Sequence, residues 1–137
     1  MTGSRDPRES DAARPVERRP RILVVDDEPG TGELMAVMLT HAGFEVVQAR
    51  DGFEAMARVR ETPFDLILLD VMLPGLDGRE TCRLLKEYGA LGTRVVLHSS
   101  ADEDDVDWRR AGADGFLQKP FDIRELPDFV RAYLPGG

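Results

Sequence analysis

Five short apolar runs recur along the chain, each closed by charged or turn-forming residues. Ile22-Leu23-Val24-Val25, Phe44 to Ala49, Phe64 to Leu69, Arg94 to His98 and Gly115-Phe116-Leu117 are the runs. The first is unbroken by polar residues, as in a strand buried on both faces, and the last four residues of the third are apolar. Between the runs the apolar spacing turns helical. Leu34, Val37, Met38 and Leu39 follow Pro29, which suits a first helical turn, and Gly43 supplies a stop. Phe53, Met56, Ala57 and Val59 share one side of a helix that starts at Asp51-Gly52. Cys82, Leu84 and Leu85 are the apolar positions of a third, over Arg79 to Tyr88. A fourth is predicted from about Asp102 to Ala111, stopping at Gly112, and a fifth from about Ile123 to Leu134, where Pro127 sits awkwardly. Strand and helix thus alternate five times, which implies one parallel sheet with helices on both faces.

Charge divides the chain. Its 137 residues carry 26 acidic and 18 basic groups, a net charge of −8. Residues 1–20 hold five arginines, four acids and three prolines, with Val16 their one β-branched aliphatic. Such a segment buries too little to offset its ordering entropy, so a disordered tail is expected there. Residues 21–137 carry −9 and form one domain in this reading. That charge argues against nucleic acid as a direct partner of the folded part. Cys82 is the single cysteine, which excludes a disulfide scaffold. No run approaches the roughly 20 apolar residues of a membrane span, and none follows Met1 as a signal would. A cytoplasmic protein is expected.

In open parallel sheets the binding crevice lies beyond the carboxyl ends of the strands. Those ends carry Asp26, Asp27 and Glu28 after the first strand, Asp70 after the third, Ser99 and Ser100 after the fourth and Lys119 after the fifth. Carboxylates gathered so closely repel one another unless a cation sits among them, and an all-oxygen set suits Mg²⁺. Asp26, Asp27 and Asp70 are the candidate ligands. Asp70 ends a fully apolar stretch, and a carboxylate there can attack phosphorus to give an acyl phosphate. The chain has 16 arginines and only two lysines. Lys86 is expected to be solvated in mid-helix. Lys119, just before Pro120, is a compact charge able to reach a carboxylate or phosphoryl oxygen. A serine hydroxyl would add a donor to that oxygen.

These segments resemble the receiver domain of two-component response regulators. The matching pieces are LVVDDE at 23–28, DLILLDVMLPGLDG at 65–78, VVLHSSA at 95–101 and GADGFLQKPF at 112–121. The resemblance implies an α/β, flavodoxin-like doubly wound (βα)5 fold with strand order 2-1-3-4-5. It makes Asp70 the phosphoacceptor. Asp26 and Asp27 become the acidic pair, and Asp27 the direct metal ligand. The Met72 backbone carbonyl is the remaining ligand and Lys119 the phosphoryl partner. The Lys119–Pro120 bond is implied to be cis. Ser99 is implied to be the switch hydroxyl and Phe116 the switch aromatic. The face formed by the fourth helix, fifth strand and fifth helix is the one such switching remodels.

Departures from the family pattern are His98, where an apolar residue is usual, and Ser100, where a small one is. They leave Ser100 open as the switch hydroxyl. His98 is read as a strand-end histidine satisfied by a neighbour. No phosphate-binding P-loop and no paired Cys or His set for zinc is present. The expected function is a phosphorylation-dependent switch, stand-alone or cut from a longer protein. Its phosphate source would be a histidine kinase or phosphotransfer protein, and its output a protein partner. A homodimer is open, with Trp108 as a contact. Two alternatives stand beside it. One is a phosphorylation-independent pseudo-receiver. The other is a Mg²⁺-dependent phosphatase, for which Met72 stands where a second acid is needed.

Overall fold

The computed structural model describes residues 19–88 and 92–135. The tail expected over residues 1–20 therefore lies almost wholly outside the described residues. Five parallel strands form one sheet in the order β2-β1-β3-β4-β5. They are β1 (Arg21–Val25), β2 (Glu45–Ala49), β3 (Leu66–Asp70), β4 (Arg94–Ser99) and β5 (Gly115–Gln118). Between them run α1 (Pro29–His41), α2 (Gly52–Glu61), α3 (Gly78–Tyr88) and α4 (Glu103–Val106), and α5 (Leu126–Arg131) follows β5. The parallel sheet is the one the alternation predicts, and its order is the one the resemblance implies.

The strands build two cores by parity. Leu23, Val25, Ile67, Leu69, Val95 and Leu97 face one layer of helices, with Cys82 and Leu85 of α3 packed against them. Ile22, Val24, Leu66, Leu68 and Val96 face the other, against Met35 and Leu39 of α1 and Leu126 and Val130 of α5. Successive strand residues point to opposite faces, so a run apolar at every position fills both layers. Asp51 caps α2 by accepting from Glu54 N at 2.8 Å, while Glu54 Oε1 accepts from Arg50 N at 2.9 Å. Gly43 turns the chain out of α1 with φ +105°, a backbone that suits glycine.

Two helices differ from expectation. The fourth is helical only over Glu103–Val106 and stops at Asp107, whose backbone is left-handed (φ 57°). Val106 and Trp108 both pack on the same core. A continued helix would set them about 200° apart, so the chain turns between them. The fifth begins as a 3₁₀ turn, Ile123–Glu125, before α5. Pro127 has no amide proton and cannot sit inside a helix, so it takes a first-turn position of a new one. Lys86 also departs. Its Nζ is half-buried and donates to Asp114 Oδ2 at 2.7 Å and to the Thr93 carbonyl at 3.1 Å.

Candidate functional site

Three strands end in the same local device. Asp26 Oδ1 accepts from Glu28 N at 2.9 Å, Asp70 Oδ1 from Met72 N at 2.9 Å and Ser99 Oγ from Ala101 N at 3.0 Å. Each side chain thereby turns the backbone two residues on. One carboxylate oxygen of each aspartate remains aimed elsewhere. β1 and β3 are hydrogen-bonded neighbours, with Val25 opposite Leu69. Asp26 and Asp70 are therefore brought side by side at the carboxyl rim, each only 4% exposed.

Lys119 enters from the end of β5. Its Nζ lies 3.3 Å from Asp70 Oδ2 and 3.6 Å from Asp26 Oδ2. The Lys119–Pro120 peptide is cis. Burial holds both carboxyls above the usual carboxylate range, and the Lys119 charge pulls against that rise. Asp26 Oδ2 is buried and makes no hydrogen bond. Two buried carboxylates with an orphaned oxygen form the hard, anionic donor set that Mg²⁺ requires, so these residues fit that ion.

The other expected residues differ in their exposure. Asp27 is exposed at the mouth, and Met72 is two residues past Asp70 with its side chain 70% exposed. Ser99 is buried and Ser100 exposed. Phe116 is half-buried against the core that also holds Leu97. Trp108 is half-buried too, its Nε1 donating to Glu103 at 2.9 Å.

His98 corrects the expectation of a satisfied histidine. It is fully buried, and neither ring nitrogen has a hydrogen-bond partner. Burial, and then the Lys119 charge, drives its pKa down to about 3. Each such orphaned group costs about 1–3 kcal/mol. Its ring shares the sheet face of Asp70, which it opposes in register. One ligand atom each from Asp26, Asp70 and His98 lie within 4.8 Å of one another. Gln118 also went unforeseen. Its Nε2 donates to the Ala101 carbonyl at 2.8 Å and the Ser100 carbonyl at 3.2 Å, tying the turn after β4 to β5. An amide beside a rim lysine carries no sequence signal of its own.

A parallel five-stranded sheet with two buried aspartates and a lysine at its rim defines a class, and the comparisons agree. The response regulator receiver domain model matches residues 22–131, and the chain belongs to that family. It is 40% identical over 116 residues to the DNA-binding response regulator MtrA of Mycolicibacterium smegmatis, covering 85% of this chain and 51% of that protein. It is 36% identical to Protein PilG of Pseudomonas aeruginosa, covering 85% and 88%. Among solved structures it is similar to the receiver domain of the response regulator NarL from Mycobacterium tuberculosis. That match has a TM-score of 0.80 and 31% identity, covering 88% of this chain and 99% of the other. The chain spans about half the length of the MtrA relatives it matches. It is a signalling domain of two-component systems, of a family that works with histidine kinases. Among the described residues no helix is long and apolar enough to cross a membrane.

Proposed function

We propose that this domain is a phosphorylation-dependent switch that accepts a phosphoryl group on Asp70 from a histidine kinase or phosphotransfer protein. The observation that carries this reading is Lys119 Nζ held between the buried carboxylates of Asp70 and Asp26. The Met72 amide holds Asp70 Oδ1, which leaves Oδ2 to attack phosphorus. The phosphorus–nitrogen bond of the donor phosphohistidine breaks as the new oxygen–phosphorus bond forms, and its electron pair returns to the imidazole. Burial keeps Asp70 more basic than a solvated carboxylate, which strengthens it as a nucleophile. Lys119 then pairs with a phosphoryl oxygen. Asp26, Asp27, Asp70 and the Met72 carbonyl would hold Mg²⁺, which would supply positive charge to offset that of the phosphoryl oxygens.

Output follows from Ser99. Its hydroxyl leaves the Ala101 amide for the phosphoryl group, with Ser100 in its place should the register differ by one. Phe116 turns inward, and the face of α4, β5 and α5 presents a changed surface to a protein partner. The domain at 21–137 makes no direct nucleic-acid contact in this reading, which its charge of −9 supports. It works in the cytoplasm in this reading, consistent with the family.

Intact mass after incubation with Mg²⁺ and a small phosphodonor tests the proposal. One added phosphoryl group in the wild type, and none in Asp70→Asn, is the expected result. No adduct and no response to beryllofluoride would make the domain a phosphorylation-independent module. Sustained phosphate release from small esters would make it a phosphatase.

A further inference from the structure

Position 98 breaks the pattern of its own sheet face. The layers beneath it are Val96 on β4, Leu66 and Leu68 on β3 and Ile22 and Val24 on β1, all apolar and buried. A strand continuing that pattern would place another aliphatic there. Instead the fully buried site holds an imidazole with both nitrogens unpartnered. A buried polar group of this kind calls for a partner. What faces it is Asp70 from β3, Asp26 from β1 and Lys119 from β5. One ring nitrogen and one oxygen of each aspartate lie within 4.8 Å of one another, and Asp26 Oδ2 is itself without a hydrogen bond.

We infer that His98 joins Asp26 and Asp70 as a further protein ligand, giving a mixed nitrogen–oxygen pocket that takes a divalent first-row transition metal in preference to Mg²⁺. The inference rests on the reading that Asp26 and Asp70 hold a dication, and it changes which ion they hold. Mg²⁺ favours oxygen and gives up its water reluctantly. Imidazole suits zinc and its neighbours, whose affinity for such sites rises toward the end of the row. In a tetrahedral site with metal–ligand bonds of about 2.1 Å, two ligand atoms stand about 3.4 Å apart. The three groups, now within 4.8 Å of one another, therefore need to close by up to about 1.4 Å. Lys119 must withdraw as the ion enters, and its flexible stem, with the side chain 19% exposed, allows that.

The test uses the full chain stripped with EDTA. Calorimetry measures Zn²⁺ and Mg²⁺ binding, and pulsed electron paramagnetic resonance examines bound Mn²⁺ for ¹⁴N coupling from a coordinated imidazole. Zn²⁺ should bind at one equivalent and about 100-fold more tightly than Mg²⁺. His98→Leu should weaken Zn²⁺ by about 30-fold, leave Mg²⁺ within about twofold and abolish the nitrogen coupling. Should that variant fail to fold, His98→Asn reads the same loss. A wild-type spectrum without nitrogen coupling overturns the inference, as does a coupling that survives in the variant through His41. In either case Mg²⁺ binding that disappears in Asp26→Asn leaves the phosphoacceptor reading standing. Absence of binding by every dication overturns both.

Discussion

The chain's two lysines end on carboxylates at opposite ends of the sheet, and the two pairs are built differently. At the amino end, Lys86 Nζ reaches Asp114 Oδ2 at 2.7 Å, and the same oxygen accepts from Val95 N at 2.8 Å. A further bond to the Thr93 carbonyl holds the ammonium, so lysine and carboxylate are both satisfied. At the carboxyl end, Lys119 stands 3.3 and 3.6 Å from its two carboxylates, and Asp26 Oδ2 and both His98 nitrogens lack hydrogen bonds. The first pair clamps α3 to the starts of β4 and β5. The second is more deeply buried and less well satisfied, which is the state of a pocket built to admit a ligand. Good pairing marks where the molecule is held together, and poor pairing marks the proposed site.

Breaking the satisfied pair should cost most. Asp114→Ala strands the Val95 amide and the Lys86 ammonium, and urea denaturation should show a loss of about 2–3 kcal/mol. An unchanged midpoint would remove the clamp from the argument.

The under-satisfied end should show itself in pH dependence. His98 has its pKa lowered from 6.5 to about 3, so the unfolded chain binds the extra proton first. Its contribution is complete above pH 6.5 and declines as pH falls toward 3. Between pH 7.5 and 5.5 this amounts to about 1.4 kcal/mol, which His98→Leu should abolish. Asp26 and Asp70 act in the opposite sense. Their folded pKa values are raised, so their contribution is present below 3.8 and lost as pH rises through the folded values. Stability measured across the window in both proteins separates the two effects. A wild type as flat as the variant would contradict the assignment.

Removing charge from the rim should stabilise the metal-free protein, the reverse of the result at Asp114. Asp26→Asn should gain about 1 kcal/mol, read from the thermal midpoint in EDTA. A loss would mean that the Lys119 pairing outweighs burial.

The smallest effect belongs to the exposed Asp27. Asp27→Ala should leave metal-free stability within about 0.5 kcal/mol. It should still reduce the rise in melting temperature that Mg²⁺ produces, through weaker binding. An undiminished Mg²⁺ increment would take Asp27 out of the ligand set.

Much of this was legible before folding was considered. Runs such as Leu66 to Leu69, apolar at every position, announce strands buried on both faces. Their alternation with helical spacing leaves few topologies, and polar residues directly after such runs must collect at one rim. Chain order alone points to Asp26, Asp70, Ser99 and Lys119. From Asp102 to Ala111 the acidic and apolar residues fit a helix as well as a turn. Only the shared core under Val106 and Trp108 decides for the turn at Asp107. Pro127 gave warning of the break before α5.

Partnership was the part that chain order left open. Lys86 lies 28 residues from Asp114 in sequence and 2.7 Å from it in space, and nothing local to either residue joins them. His98 reads as an ordinary strand-end histidine until β1, β3 and β5 close around it and no donor or acceptor arrives. By itself the sequence determined the strands, their polar ends and hence the place of the site, because burial and alternation are local patterns. Which polar groups are satisfied and which stay poised for a ligand was decided only in the tertiary structure, because hydrogen bonding depends on neighbours brought in from distant strands.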